Sequence, residues 1–195
     1  MLIIVKMYLT LLGPIIAGII NSLFCSLNVC KKLKKPMDFN KKFIDGKRIF
    51  GDNKTWKGFF GYIVFNIIIA VILGMIFNLL HANQNNFFYV YDSNTIKYNL
   101  LIGFLLGLFY ALFELPNSFL KRRLGIKEGK TIKGFKKIFF IILDQADSVF
   151  GVALVVWFFY PLGIKKYLLY ILIGLVTHLV INMILYFLHL RKNMF

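Results

Sequence analysis

Residues 58–80 form a continuous apolar segment, GFFGYIVFNIIIAVILGMIFNLL, that contains no charged side chain. A helix of about 20 such residues is long enough to cross the roughly 30 Å hydrocarbon core of a bilayer. Four further segments are long and apolar enough to do the same, at residues 7–30, 98–117, 138–160 and 167–190. Since these segments leave no room for a separate soluble domain in 195 residues, we predict an all-α, polytopic membrane protein: a single integral-membrane domain over residues 1–195 with five transmembrane helices.

The distribution of positive charge indicates how such a protein would lie in the membrane. Of the 24 Lys and Arg residues, 20 lie in segments 31–57 and 118–137 or behind the last helix, and four lie elsewhere. Cytoplasmic connections carry the excess of Lys and Arg, so we expect both segments and the C-terminus in the cytoplasm and the N-terminus outside. A net charge of +16 would suggest nucleic acid in a soluble protein. The alternation of charge-rich and charge-poor connections favours the cell membrane instead, with no nucleic-acid partner.

Two carboxylates, Asp144 and Asp147, interrupt the fourth apolar segment. Residues three positions apart share one face of a helix. Each carboxylate costs at least ~2.5 kcal/mol near the bilayer centre, and two of them side by side repel. A divalent cation or a substrate group would offset both costs, so we predict a metal or substrate role for the pair. Ion pairs with nearby Lys or Arg side chains are the structural alternative.

The third segment runs into the sequence ELPNSFLKRR at residues 114–123. Pro116 is expected to break or kink the helix and to leave Asn117 and Ser118 beside a cavity near the membrane surface. Three cationic residues, 121–123, follow in the same segment. A plain helix stop that contacts lipid headgroups is the alternative, but it explains Glu114 and the Pro-Asn-Ser sequence less well.

The first basic connection, residues 31–57, intersperses its ten cations with three aspartates and two glycines, and a third glycine, Gly58, follows directly. Attraction to a membrane surface would not need aspartates at regular positions. A loop that binds phosphate through backbone N–H groups, Lys54 and Thr55 fits the pattern better, although the spacing of a Walker A motif is absent. Both basic connections and the Asp pair are expected at one membrane face, where they would bind a phosphoanhydride.

Three smaller patterns are interpreted as packing. Gly103 and Gly107 form a Gly-x-x-x-Gly pair that allows two helices to approach closely. His178 and Asn182 share a helix face, which predicts an interhelical hydrogen bond. The two cysteines, Cys25 and Cys30, have neither zinc-site spacing nor a predicted disulfide.

Five motifs in these polar segments resemble those of a known family. Residues 36–39 (PMDF), 45–48 (DGKR) and 51–58 (GDNKTWKG) resemble the first motif of the CDP-archaeol synthase family. Residues 118–125 (SFLKRRLG) and 143–148 (LDQADS) are similar to its second motif, which the wider phosphatidate cytidylyltransferase superfamily shares. The resemblance covers the whole chain, including the five-span arrangement.

This resemblance implies an enzyme that joins CTP and a lipid phosphate into a CDP-lipid, with release of pyrophosphate and with Mg²⁺ as cofactor. Asp144 and Asp147 would hold the metal and take part in catalysis, together with Lys121 and Arg122 as phosphate-binding groups. Glu114 stands where superfamily members often have Asp, so it keeps the charge on a longer side chain. The nucleotide side of the site would comprise Asp38, Asp45, Asp52, Lys54, Thr55, Glu114, Ser118 and Arg123.

Some alternatives stay open at this stage. The lipid is either an archaetidic acid-type ether phosphate or a diacyl phosphatidate. A CTP-dependent lipid kinase of the polyprenol type would release CDP in place of pyrophosphate. A non-enzymatic transporter or scaffold would place the Asp pair on an ion pathway, although the crowding of charges at one face counts against it. The expected partners are CTP, the lipid phosphate and membrane lipids, with a homodimer as a candidate assembly.

Overall fold

The computed structural model describes residues 2–128 and 135–188, and these form a bundle of five long α-helices. Each helix is long and apolar enough to cross a membrane, so the predicted all-α, multi-pass fold is confirmed. Short 3₁₀ turns lie in the connections. The helices are α1 (Ile3–Ser26), α2 (Trp56–Leu79), α3 (Ile96–Arg123), α4 (Phe135–Phe159) and α5 (Gly163–Phe187).

All five helices begin or end one to six residues away from the predicted spans, and the ends of α1 and α3 differ most. Helix α1 ends four residues early, because the chain turns to an extended conformation at Leu27, whose carbonyl accepts a 2.8 Å hydrogen bond from Lys57 Nζ. Helix α3 continues through Pro116 as far as Arg123, so the helix does not break at this proline, and the kink stays a prediction. Proline removes one backbone donor, which leaves the carbonyl four residues earlier, that of Leu112, without its helical partner. One turn further on, Ser118 Oγ donates to the Glu114 carbonyl at 3.1 Å.

Helices α2 and α3 approach each other closely at the predicted glycine pair. A Cβ atom on Gly103 would lie 2.6 Å from Ile67 Cα, and one on Gly107 would lie 2.6 Å from Ile63 Cα. Backbone atoms of α2 therefore occupy the space that a side chain would need. This contact confirms the packing role predicted for the Gly-x-x-x-Gly pair.

Replacing Gly107 by alanine is expected to destabilise the protein strongly. The new side chain would meet backbone, which cannot move aside as a flexible side chain can, so the cost should be at the upper end of the ~1–3 kcal/mol typical of overpacking. Thermal unfolding in detergent, followed by intrinsic fluorescence, would report the change. Gly13→Ala is the matched control, since its Cβ would meet only Leu73 Cδ1 at 3.7 Å. Equal midpoints for the two variants would contradict the close approach.

The end of the bundle opposite the basic connections is closed by aromatic side chains. Phe87 and Phe88, in a 3₁₀ turn between α2 and α3, are 2% and 3% exposed. The backbone N–H of Phe87 donates to Thr10 Oγ1 of α1 at 3.1 Å, which ties this turn to the first helix. The site described below lies at the other end.

The outward faces of the helices carry exposed apolar side chains at helical spacing. On α2 these include Val64, Ile68 and Ile72, and on α5 they include Leu168 and Leu172. A soluble protein rarely exposes such continuous apolar stripes. They are the surface expected to contact lipid.

Candidate active site

The first basic connection folds around the carboxylate of Asp38. Its two ends pair through Met37 N–H to the Lys54 carbonyl, at 2.8 Å. The Asp38 side chain accepts hydrogen bonds from Nε and Nη2 of Arg48 at 3.1 and 2.8 Å, and from the backbone N–H groups of Phe50 and Gly51 at 3.0 and 2.9 Å. Burial alone would raise the pKa of Asp38, but these donors outweigh it and hold the pKa well below its usual range. Asp38 therefore organises the loop.

Asp38→Asn is expected to destabilise this loop by about 3 kcal/mol at neutral pH, because it removes one partner of a buried ion pair. The folded-state pKa lies below the ordinary value of 3.8. The stabilisation is therefore present above about pH 4 and is lost as the pH falls towards the folded pKa. The difference in unfolding midpoint between wild type and variant should shrink below pH 4 in a thermal melt.

Asp52→Asn is the matched control for this prediction, because Asp52 pairs with the same Arg48 at 3.0 Å but its side chain is 68% exposed. An exposed ion pair contributes about 0–1 kcal/mol. A loss as large for Asp52→Asn as for Asp38→Asn would show that the buried hydrogen bonds of Asp38 are not the cause.

Arg123 joins the first basic connection to the end of α3. Its guanidinium donates to the Asp45 carboxylate and, at 3.2 Å, to the Lys47 carbonyl, while Lys47 Nζ donates to the Arg123 carbonyl at 2.6 Å. The same guanidinium lies 5.0 Å from the ring centroid of Phe43 and 4.7 Å from that of Phe119. These contacts bring the two basic segments together at one end of the bundle.

A cavity of about 840 Å³ opens beneath this joined surface. Residues from all five helices and both basic segments line it, with charged groups at one end and apolar side chains of α1, α4 and α5 at the other. Asp38, Asp45 and Arg123 are not among its lining residues in the described part of the chain. The sequence-predicted residues that do line it are Asp52, Lys54, Thr55, Glu114, Ser118, Lys121, Arg122, Asp144 and Asp147.

Asn117 bridges the two carboxylates of α4. Its Nδ2 atom donates to Asp144 Oδ1 and to Asp147 Oδ2, each at 2.7 Å, which places both aspartates on one face as predicted. Lys121 pairs with Asp144, so the alternative of an ion pair is realised for that carboxylate. The sequence predicted Asn117 and Ser118 beside a cavity, and both line it, but the contact of Asn117 with the two aspartates was not predicted. The spacing of these residues could have indicated the contact. Glu114, Asn117 and Lys121 are three and four positions apart, so they share one face of α3.

The groups around this bridge fit a Mg²⁺ ion. Magnesium prefers oxygen ligands and is often held by one or two carboxylates together with waters and substrate phosphates. Asp144 and Asp147 supply carboxylate oxygens, and the buried Oδ1 of Asn117 has no hydrogen-bond partner within the described residues. Across residues 2–128 and 135–188, no group of three or more His, Cys, Asp or Glu side chains is arranged to hold a metal ion by itself.

Lys54 and Glu114 form an ion pair across the cavity. Burial alone would lower the pKa of Lys54, but the carboxylates of Glu114, Asp147 and Asp144 outweigh it, so the pKa is raised and Lys54 stays charged. The neighbouring Thr55 caps helix α2, where its Oγ1 accepts the Gly58 N–H at 3.2 Å. This cap fixes the position of Lys54.

Behind the carboxylates, α5 holds α4 in place. Gln145, 1% exposed, accepts a 2.5 Å hydrogen bond from Asn182 Nδ2 at its side-chain oxygen. His178 Nδ1 lies 3.2 Å from the Gln145 carbonyl oxygen. These contacts confirm the interhelical role predicted for His178 and Asn182, and they fix the helix that carries both aspartates.

Known proteins with a similar sequence share one description. The family model "CarS-like: CDP-archaeol synthase" matches residues 2–195. A CDP-archaeol synthase of Saccharolobus islandicus is 34% identical over 120 residues, which are 62% of this chain and 57% of that protein. The match to the Pyrococcus abyssi CDP-archaeol synthase is 38% identical and covers 55% of this chain and 56% of the relative. The chain therefore spans little more than half the length of these relatives.

A longer match is found to the CDP-archaeol synthase of Archaeoglobus fulgidus, 35% identical over 164 residues, or 80% of this chain and 82% of the relative. A solved structure, of an intramembrane enzyme for archaeal membrane lipid biosynthesis, has a similar fold, with a TM-score of 0.61 and 20% identity over 90% of this chain and 92% of the other. The family match over residues 2–195, together with the five-helix fold, shows that this chain belongs to the CDP-archaeol synthase family.

Proposed function

We propose that this protein is a CTP-dependent cytidylyltransferase that converts a membrane lipid phosphate into a CDP-activated lipid. The observation that carries the proposal is that one cavity combines two environments. Its polar end gathers Lys54, Lys121 and Arg122 around the aspartates of α4, and its other end is apolar. A triphosphate and the headgroup end of a lipid could therefore meet in one space. The family membership supports the same reaction.

The reaction needs charge neutralisation and positioning more than a protein nucleophile. An oxygen of the lipid phosphate attacks the α-phosphorus of CTP and forms a new P–O bond, while the bond from that phosphorus to the bridging oxygen breaks and pyrophosphate leaves with the electron pair. Lys54, Lys121 and Arg122 would reduce the repulsion between the two anions and stabilise the charge on the leaving group. Mg²⁺ held by Asp144 and Asp147 would supply further neutralisation and orient the phosphates.

The apolar end of the cavity favours a lipid acceptor. Leu11 and Ile15 of α1 and Val149 of α4 are among the apolar side chains that line the cavity. These side chains would contact the part of the lipid next to its phosphate, and the chains of the lipid would continue into the bilayer. Because the named relatives are CDP-archaeol synthases, we propose an ether lipid phosphate as the acceptor.

The location of the site follows from the charge distribution. Both basic segments, which carry most of the Lys and Arg residues, are proposed to face the cytoplasm, where CTP is available, with the protein in the cell membrane as one domain. The N-terminus would then lie outside. A homodimer stays a prediction.

The proposal is tested by following products from CTP and Mg²⁺ with the purified full-length protein. Unsaturated archaetidic acid and a diacyl phosphatidate are offered separately, and pyrophosphate and CDP are measured in each reaction. Pyrophosphate release that depends on the ether lipid is the expected result. Release of CDP would identify a lipid kinase, and equal rates with both lipids would contradict the choice of an ether acceptor.

A further inference from the structure

Glu128 is a cavity-lining carboxylate that the reaction proposed above does not use. It follows the turn that ends α3, and its Oε1 atom lies 3.2 Å from Nη1 of Arg122. Its carboxyl group also lies directly over the backbone of Gly51 in the first basic connection, since a Cβ atom on Gly51 would be 2.2 Å from Oε1 and 2.7 Å from Cγ. Glu128 is thus placed where the two basic segments meet.

The partner of Glu128 is a buried cation with unused donors. The Arg122 side chain is 9% exposed, and its Nε and Nη1 atoms have no hydrogen-bond partner within residues 2–128 and 135–188. Guanidinium groups form their strongest contacts as two parallel hydrogen bonds to a carboxylate or phosphate. The contact with Glu128 lacks this arrangement, so it balances the charge of Arg122 without satisfying its donors.

The other two cavity pairs differ from this one in where their acids lie. Lys54 is paired with Glu114, and Lys121 with Asp144; both carboxylates belong to the transmembrane helices α3 and α4. Glu128 lies outside any helix, three residues beyond Gly125, which has a positive φ of 74°. Moving a side chain on a connection disturbs less packing than moving one on a buried helix face. Of the three pairs, Arg122–Glu128 is therefore the easiest for a ligand to open.

We propose that Glu128 is an internal competitor that occupies the anion-binding position of Arg122 and is displaced when a phosphate group enters the cavity. A phosphate carries more charge than a carboxylate and offers oxygens that can accept two hydrogen bonds from the guanidinium. Glu128 therefore keeps Arg122 neutralised in the empty cavity and lowers the affinity for phosphoanhydrides. The identification of this anion as the phosphate chain of CTP or the pyrophosphate product rests on the proposed function.

The test is the binding of inorganic pyrophosphate to the purified full-length protein, measured by calorimetry. Glu128→Gln removes the competing charge and keeps the size of the side chain, so the Kd for pyrophosphate should fall about tenfold, which corresponds to about 1.4 kcal/mol. Asp92→Asn is the control for net charge, because it removes one negative charge at the end of the bundle remote from the cavity, where Asp92 accepts a hydrogen bond from Tyr98 Oη. It should leave the Kd within about twofold.

A second comparison tests whether Glu128 lowers the affinity for pyrophosphate by way of its contact with Arg122. In the Arg122→Gln background, adding Glu128→Gln should give no further gain in affinity, because the two effects are coupled through one contact. A thermal melt establishes that each variant is folded. An unchanged or weaker Kd for Glu128→Gln, an equal gain in both backgrounds, or no binding of pyrophosphate to any variant would overturn the proposal.

The result separates this inference from the proposed reaction. Inorganic pyrophosphate binds without any transfer chemistry, so tighter binding by Glu128→Gln would uphold the inference even if the wild type transferred nothing from CTP. Active wild type with no change of Kd in Glu128→Gln would contradict the inference and leave the proposed function standing.

Discussion

Replacing Asp147 by asparagine is expected to lower the kcat of cytidylyl transfer about a thousandfold, the loss typical of removing one strong electrostatic contact from an active site. Asp147 is 8% exposed and lines the cavity opposite Asn117. The substitution keeps the shape of the side chain but removes the charge that would hold a divalent cation. Initial rates of pyrophosphate release, at saturating CTP and lipid, measure the effect.

Asp92→Asn is the control for this substitution. Asp92 lies in the connection before α3, at the end of the bundle remote from the cavity, and accepts a 3.0 Å hydrogen bond from Tyr98 Oη. Its replacement should leave kcat within about twofold of wild type. Folded Asp147→Asn protein that retained more than a tenth of wild-type turnover would exclude Asp147 from the catalytic centre.

Asn117→Leu is expected to lower activity about a hundredfold at limiting Mg²⁺, chiefly by weakening the affinity for Mg²⁺. The amide of Asn117 is the group that donates to both Asp144 and Asp147. Without it the two carboxylates lose their shared donor and repel each other. Residues that orient metal ligands typically contribute 10–100-fold in metal affinity, so the Mg²⁺ concentration for half-maximal rate should rise by a factor in that range.

Asn99→Leu separates this effect from a loss of folding. Asn99 is on the same helix and equally buried, at 2% exposed, but it hydrogen-bonds Tyr89 and Asn94 at the opposite end of the bundle. It should lower the unfolding midpoint without changing the Mg²⁺ dependence. A shift in the Mg²⁺ dependence of the same size in both variants would mean that Asn117 acts only through stability.

The sequence was sufficient to predict the five helices, because the hydrocarbon core admits only long runs without charge and these runs are visible in the primary structure. The helix ends were less predictable. Helix α1 ends early, where the Leu27 carbonyl accepts a hydrogen bond from Lys57, thirty residues away, and α3 continues through Pro116. Neither result can be found in a local pattern.

Part of the candidate site could also be predicted from sequence. Charged residues inside apolar segments, such as Asp144 and Asp147, are costly enough to mark a site by themselves. The same argument does not apply within the basic connection. The sequence around an aspartate there is the same whether its carboxylate binds a ligand or accepts hydrogen bonds from its own loop. The hydrogen bonds of Asp38 to Phe50 and Gly51 and the contact of Asp45 with Arg123 depend on how the chain turns in space.

The contacts of Asn117 and Glu128 within the site were not predicted from the sequence. Asn117 carries no charge and follows a proline that suggested a broken helix, so its place on the inner face of α3 emerged only when that helix proved continuous. Glu128 lies on the second basic connection, whose cations were predicted to bind phosphate and whose one acid received no role. Its contact with Arg122 depends on the turn at Gly125 and on the bare backbone of Gly51.

The most direct test of the proposed reaction is the fate of isotopic label from CTP. The purified protein is given an ether lipid phosphate, Mg²⁺ and CTP labelled at either the α- or the γ-phosphorus, and the lipid fraction is extracted and counted. Cytidylyl transfer predicts that label from the α-position enters the lipid and that label from the γ-position leaves as pyrophosphate. Appearance of γ-label in the lipid, with α-label remaining in CDP, would contradict the account.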